Sequence, residues 1–204
     1  RGPLNQHLID SFGITLPPGT VAGQAEALGQ LDIPREGPVA FDLNSDLRGA
    51  LVRIADLGWT KPRGVAGALS ISGSLGPKAQ IDRVRLSGPG FQADGTVALG
   101  PEGVLVSAEF DRVQVGDWLD APVTLTGRGR GVPPAITMSE GRLDLRNLPD
   151  LPPPAAGQRV PLELSLDEVV LADGIALRPF QAQLEARGGV IGEFQAQING
   201  RTAV

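Results

Sequence analysis

The residues able to do chemistry are few in this 204-residue chain, and their spacing is poor for catalysis. The single histidine, His7, has no nucleophile or orienting carboxylate near it in sequence, so it reads as structural or solvent-exposed rather than as a general base. Cysteine is absent, which removes disulfides and thiolate metal sites. The acids show no spacing that would hold a cation; they are spread along the wet faces of predicted strands. Their number leaves a paired-carboxylate glycoside chemistry open, but the aromatic platforms that usually accompany it are scarce, at 4% of residues. Gly127-Arg128-Gly129-Arg130-Gly131 has the letters of a nucleic-acid segment. It is short, sits in a chain of net charge −5 and follows the strand-like Val123-Thr124-Leu125-Thr126, so it reads as a turn or strand end. Gly88-Pro89-Gly90 lacks the following helix that a phosphate loop needs. Trp59 and Trp118 read as packing residues. These residues predict no enzyme, no metal, no cofactor and no nucleic-acid partner.

The elements that would carry any site are strands. Apolar residues recur at every second position: Val39, Phe41 and Leu43; Leu69, Ile71 and Leu75; Phe91, Ala93, Val97 and Leu99; Val104, Val106, Ala108 and Phe110; Val160, Leu162, Leu164 and Leu166; Phe180, Ala182, Leu184 and Ala186; Phe194, Ala196 and Ile198. Such alternation makes strands with one apolar and one wet face. Gly88-Pro89-Gly90, Gly100-Pro101-Glu102-Gly103, Ala172-Asp173-Gly174 and Gly188-Gly189 separate the runs with hairpin chemistry. Short helices are expected over residues 4–12 and, as one turn, from Val115 to Leu119. Leu148-Pro149-Asp150-Leu151-Pro152-Pro153-Pro154 cannot be a central strand, because proline lacks the ladder donor, and reads as a crossing loop or polyproline connector.

A repeat underlies the pattern. Ile81-Asp82-Arg83-Val84, Phe110-Asp111-Arg112-Val113 and Leu166-Asp167-Glu168-Val169 share apolar, Asp, charged, Val, and Gly141-Arg142-Leu143-Asp144-Leu145 is a degenerate copy. In each clear copy the apolar phase slips by one residue, as a β-bulge or bend would make it. The predicted fold is therefore all-β: an extended, twisted antiparallel sheet of repeated hairpins curling into an open groove. It forms one continuous segment over 1–204, with sub-segments 1–62, 63–147 and 155–204 and a connector at 148–154. No apolar run nears the ~20 residues of a membrane helix. The first residues lack the apolar stretch of a signal peptide, and the abrupt ends read as those of a piece of a longer chain.

Ala55-Asp56-Leu57-Gly58-Trp59-Thr60-Lys61-Pro62, the hairpin Ser87-Gly88-Pro89-Gly90-Phe91-Gln92-Ala93-Asp94-Gly95-Thr96-Val97, Gly116-Asp117-Trp118-Leu119-Asp120-Ala121-Pro122-Val123 and Gly189 to Gly200 resemble, in the same order, elements of the AsmA-like proteins of Gram-negative bacteria, especially their YhdP branch. The resemblance implies a periplasmic protein, anchored in the inner membrane through a helix outside this sequence, whose apolar groove carries phospholipid acyl chains towards the outer membrane. On the residues alone, an open apolar face takes an acyl chain, while the same repeat equally suits a self-packed scaffold. The expected groove-lining residues are Leu69, Ile71, Val97, Leu99, Val106, Phe110, Leu162, Leu164, Leu184 and Phe194. Open sheet edges further predict edge-to-edge self-association.

Overall fold

A computed structural model describes residues 2–5, 9, 16, 19–75, 80–187 and 189–200. In chain order the strands are β1 (Gly2–Leu4), β2 (Val21–Gly23), β3 (Ala25–Asp32), β4 (Val39–Ser45), β5 (Ala50–Ile54), β6 (Trp59–Lys61), β7 (Ala68–Leu75), β8 (Gln80–Gly88), β9 (Phe91–Leu99), β10 (Leu105–Val115), β11 (Leu119–Thr126), β12 (Ala135–Ser139), β13 (Arg142–Asp144), β14 (Val160–Leu166), β15 (Glu168–Ala172), β16 (Ile175–Ala186) and β17 (Val190–Gly200). Fourteen of them form one large sheet that curls part-way into a ring; β2, β5 and β6 form a small second sheet. The all-β class expected from the alternation is the observed one.

Neighbours in sequence are mostly neighbours in the sheet, which runs β1, β3, β4, β7, β8, β9, β10, β11. Next comes the interrupted pair β12 and β13, both bonded to β11, then β14 and β15, both bonded to β16, and finally β17. The ladder is antiparallel except at β12–β14 and β13–β15, which are parallel. The connector explains the exception. With proline at 149, 152, 153 and 154 the return leg cannot pair as a hairpin strand, so it crosses outside the ladder and β14 starts again at the same end as β12.

The phase slips in the repeat are real bulges. Register shifts fall between Ile81 and Val84 in β8, and between Phe110 and Val113 in β10. In the third copy Asp167 interrupts β14 and β15, beside the break at Glu140 and Gly141 between β12 and β13. The two interruptions interlock: the amides of Asp167 and Glu168 donate to the Gly141 carbonyl, and the Gly141 amide donates to Asp167 Oδ2. A Cβ on Gly141 would lie 2.3 Å from the Asp120 carbonyl oxygen, and its φ of +79° is one glycine tolerates. β16 carries a further shift between Leu177 and Phe180. A bulge bends its strand and increases local twist, so bulges repeated from strand to strand give the sheet its curl.

Of the two helical expectations, the one over residues 4–12 falls mainly on residues outside those described, and the one from Val115 to Leu119 needs correction. Gly2–Leu4 is a strand, with Leu4 paired to Ala25; Ile9 donates to the Asn5 carbonyl, and residues 6–8 and 10–12, His7 included, lie outside the described residues. Val115 to Leu119 is a hairpin reversal, in which Trp118 N donates to Val115 O and Gly116 N reaches across to Gly90 O. There the alternation of β10 and β11 runs to within three residues of itself, leaving no length for a helix.

Candidate functional site

Cross-strand register decides which residues share a face, since directly opposed residues project to the same side. One row crosses the sheet as Gly29, Leu43, Ile71, Val84, Gly95, Phe110, Val123, Met138, Leu164, Ala182 and Phe194. The adjacent row is Leu31, Phe41, Gly73, Ile81, Val97, Ala108, Leu125, Ile136, Leu162, Leu184 and Gly192. Every member of both rows is apolar or glycine, over eleven strands. The rings of Phe41 and Phe110 lie over the cross-strand glycines: a Cβ on Gly73 would come within 3.0 Å of the Phe41 ring, and one on Gly95 within 2.8 Å of the Phe110 ring.

The sheet therefore forms a trough with one continuous apolar lining. Of the ten residues expected to line it, Ile71, Phe110, Leu164 and Phe194 lie in the first row and Val97, Leu162 and Leu184 in the second. Leu69 opposes Leu86 one position along, and Leu99 opposes Leu105 near the opposite rim. Val106 does not join them. The register shifts between Leu105 and Ser107, so Leu105 takes the inward place while Val106 is 54% exposed beside Gly100. Sequence reading also passed over Leu125, Ile136 and Met138, although Leu125 stands in the alternating Val123-Thr124-Leu125-Thr126. Coverage along the lining is uneven: Leu164, Ala108 and Ala182 are buried, Leu69, Ile71, Val97, Leu99, Phe110, Leu162 and Leu184 are half-buried, and Phe194 is 62% exposed on the last strand.

One side of the trough is closed by the small sheet. Trp59 stacks on Phe91 with centroids 4.4 Å apart, and its Nε1 donates to the Pro89 carbonyl at 2.8 Å. Ile54 and Leu57 pack on the same core. Lys61 is fully buried, its ammonium donating to the carbonyls of Leu47 (2.7 Å), Ala50 (2.8 Å), Pro62 (3.1 Å) and Val65 (3.0 Å). Burial pushes the pKa of Lys61 down, and the Asp46 carboxylate opposes that shift. Gly58, at φ +63°, ends a 3-10 turn and lies against Pro149 and Leu151 of the connector. The segment Leu57-Gly58-Trp59-Thr60-Lys61 is thus the closure of the trough.

The outer face is charged and internally paired. Asp94 accepts from Arg83 and Arg85, Asp120 from Arg112, Asp144 from Arg142 and Arg146, and Glu168 from Arg178. Hydrogen bonds from arginine hold the carboxyls of Asp94, Asp120 and Asp144 below the usual carboxylate range. A shallow cleft of about 530 Å³ follows the bulges, between Asp111, Arg112, Asp120, Glu140, Arg142 and Glu168. A general acid needs a raised pKa, whereas the shifted carboxyls here are held ionised. No arrangement of His, Asp and Glu able to hold a metal ion occurs among the described residues.

No protein-family model, curated protein or solved structure matches the chain.

Proposed function

We propose that this chain is a segment of a periplasmic, bridge-like lipid-transfer protein of the AsmA-like kind, carrying phospholipid acyl chains along the trough without covalent chemistry. The observation that supports this reading is the pair of uninterrupted apolar rows crossing eleven strands, several of whose members the chain's own side chains leave half-covered. An apolar face of that extent requires a cover. An acyl chain lying along it gains about 0.8 kcal/mol for each CH₂ withdrawn from water. Headgroups stay in water at the rim, so the lining needs no headgroup-reading residues, and it has none.

A second reading draws on the closed side, where Trp59, Phe91, Val113, Val115, Trp118 and Leu119 pack into a contiguous core. A scaffold whose faces are wholly self-packed would extend that arrangement throughout. Native mass spectrometry of the purified chain, followed by lipid extraction, separates the two. Bound phospholipid is expected in the unaltered protein and lost in Ile71→Asp or Leu162→Lys, while Val106→Asp, outside the lining, keeps it. A folded protein free of lipid overturns the conduit and favours the scaffold.

A further inference from the structure

Charge is distributed unevenly between the two ends of the strands. At the closed end the turns carry Asp46, Asp117 and Asp173, the first and last of them paired with Arg48 and Arg146. At the opposite rim, in the part of the sheet from β11 to β17, the turns carry arginine. Arg128 and Arg130 stand on the loop between β11 and β12, Arg159 precedes β14 and Arg187 follows β16, and all four are exposed. The segment Gly127 to Gly131, a turn in the fold, is thus one side of a basic lip.

The parallel step brings these arginines together. Because β14 starts again at the same end as β12, Arg159 comes beside the β11–β12 loop. Arg128 Nη1 donates to the Arg159 carbonyl at 2.8 Å, and Gln158 Nε2 donates to the Gly131 carbonyl at 3.3 Å. Val160 opposes Ala186, so Arg159 and Arg187 stand side by side, one residue beyond the last pair of the inner apolar face on these strands. Their guanidiniums share one carboxylate, Glu185, at 3.7 and 3.8 Å, which is too long for a hydrogen bond. The next acids on these strands, Glu163 and Glu193, lie one outer-face position further from the rim, on either side of Gln183.

We propose that this lip, formed by Arg128, Arg159 and Arg187, receives the phosphate of an anionic phospholipid whose acyl chains lie in the trough, an inference that rests on the conduit reading above. An apolar lining that gives way to guanidiniums within one residue matches an amphiphile whose acyl chains end in a phosphate. Guanidinium presents paired N–H donors to phosphate oxygens. At an exposed rim such contacts are weak, so the acyl chains supply the affinity and the arginines bias the choice of headgroup charge. A lipid of net negative charge is favoured over a zwitterionic one, whose cationic group the arginines repel.

The test equilibrates the full chain with vesicles of equal parts phosphatidylglycerol and phosphatidylcholine carrying identical acyl chains, then separates the protein and quantifies its bound lipid. Adsorption to the vesicle surface presents both lipids alike, so the ratio in the extract reports the lip. The unaltered chain is expected to hold roughly 2- to 10-fold more phosphatidylglycerol, with a smaller excess at high salt. The double variant Arg159→Gln, Arg187→Gln brings the ratio towards one and still binds lipid. Glu185→Gln, which removes the competing carboxylate, raises it. Circular dichroism confirms that the variants keep the fold. Equal amounts of the two lipids on the unaltered chain, or an excess that the double variant retains, overturns the lip and leaves the conduit standing. Binding of inorganic phosphate alone, together with an extract lacking the excess, assigns the arginines to a free anion and also overturns the lip. Absence of both lipids overturns the conduit itself, and the lip with it.

Discussion

Trp59 lies flat against Phe91, 4.4 Å between ring centroids and 28° between planes, joining the small sheet to the wall of the large one. The contact joins residues far apart in sequence, and the indole nitrogen is tied to Pro89 in the turn that precedes Phe91. Truncation to alanine removes the stack and leaves a cavity at the closed side. Trp59→Ala is expected to cost about 3 kcal/mol in urea unfolding, with the near-ultraviolet dichroism of the tryptophan region reduced. A loss below about 1 kcal/mol would show that the small sheet is held by other contacts.

Lys61 is the second device of the closure. Its ammonium joins four carbonyls, and its aliphatic stem fills space beside Gly67 and Gly88. Lys61→Met keeps the stem and removes the donors, at about 1–3 kcal/mol for each buried acceptor left unpaired and dry. The variant is expected to be destabilised by more than about 2 kcal/mol in the same unfolding measurement, though methionine is the more hydrophobic residue.

Asp144 gives the pH dependence. It is 1% exposed, and Arg146 and Arg142 hold its carboxyl far below the ordinary range, the side-chain bonds of Arg146 acting most strongly. Its folded pKa lies below its unfolded value of about 3.9. The stabilisation is therefore complete above that pH and is lost as pH falls towards the folded value. Stability measured from pH 6 down to pH 2 should fall less steeply for Asp144→Asn than for the unaltered chain, while the variant is the less stable of the two at pH 6.

The bulge at Asp111 and Arg112 links fold to function. Two residues of β10 there oppose the single Pro122 of β11, between the pairs Phe110–Val123 and Val113–Ala121. Deleting Asp111 restores regular alternation, keeps Phe110 and Val113 on the inner face and removes the bend. The expected result is a retained far-ultraviolet β spectrum with reduced lipid co-purification. Undiminished lipid would mean that this bend does not shape the trough.

Much of this architecture was legible in the residues. Period-two alternation placed most strands of the large sheet, glycine-rich turns placed its hairpins, and the slipped phase in Ile81-Asp82-Arg83-Val84 and Phe110-Asp111-Arg112-Val113 located two bulges, because each is a local property of a single strand. By the same parity, nine of the ten residues expected along the trough fell on its inner face. Val106 did not, since its parity is reset by pairing with β9, and a bulge outside the repeat leaves no mark in its own strand. The parallel step at β12–β14, the closure by Trp59 and Lys61, and the burial of Asp144 likewise depend on partners far away in sequence. Alternation determines which side chains share a face of a strand. Only the tertiary structure decides what covers that face, because the covering groups come from elsewhere in the chain and their positions depend on how the whole sheet curls.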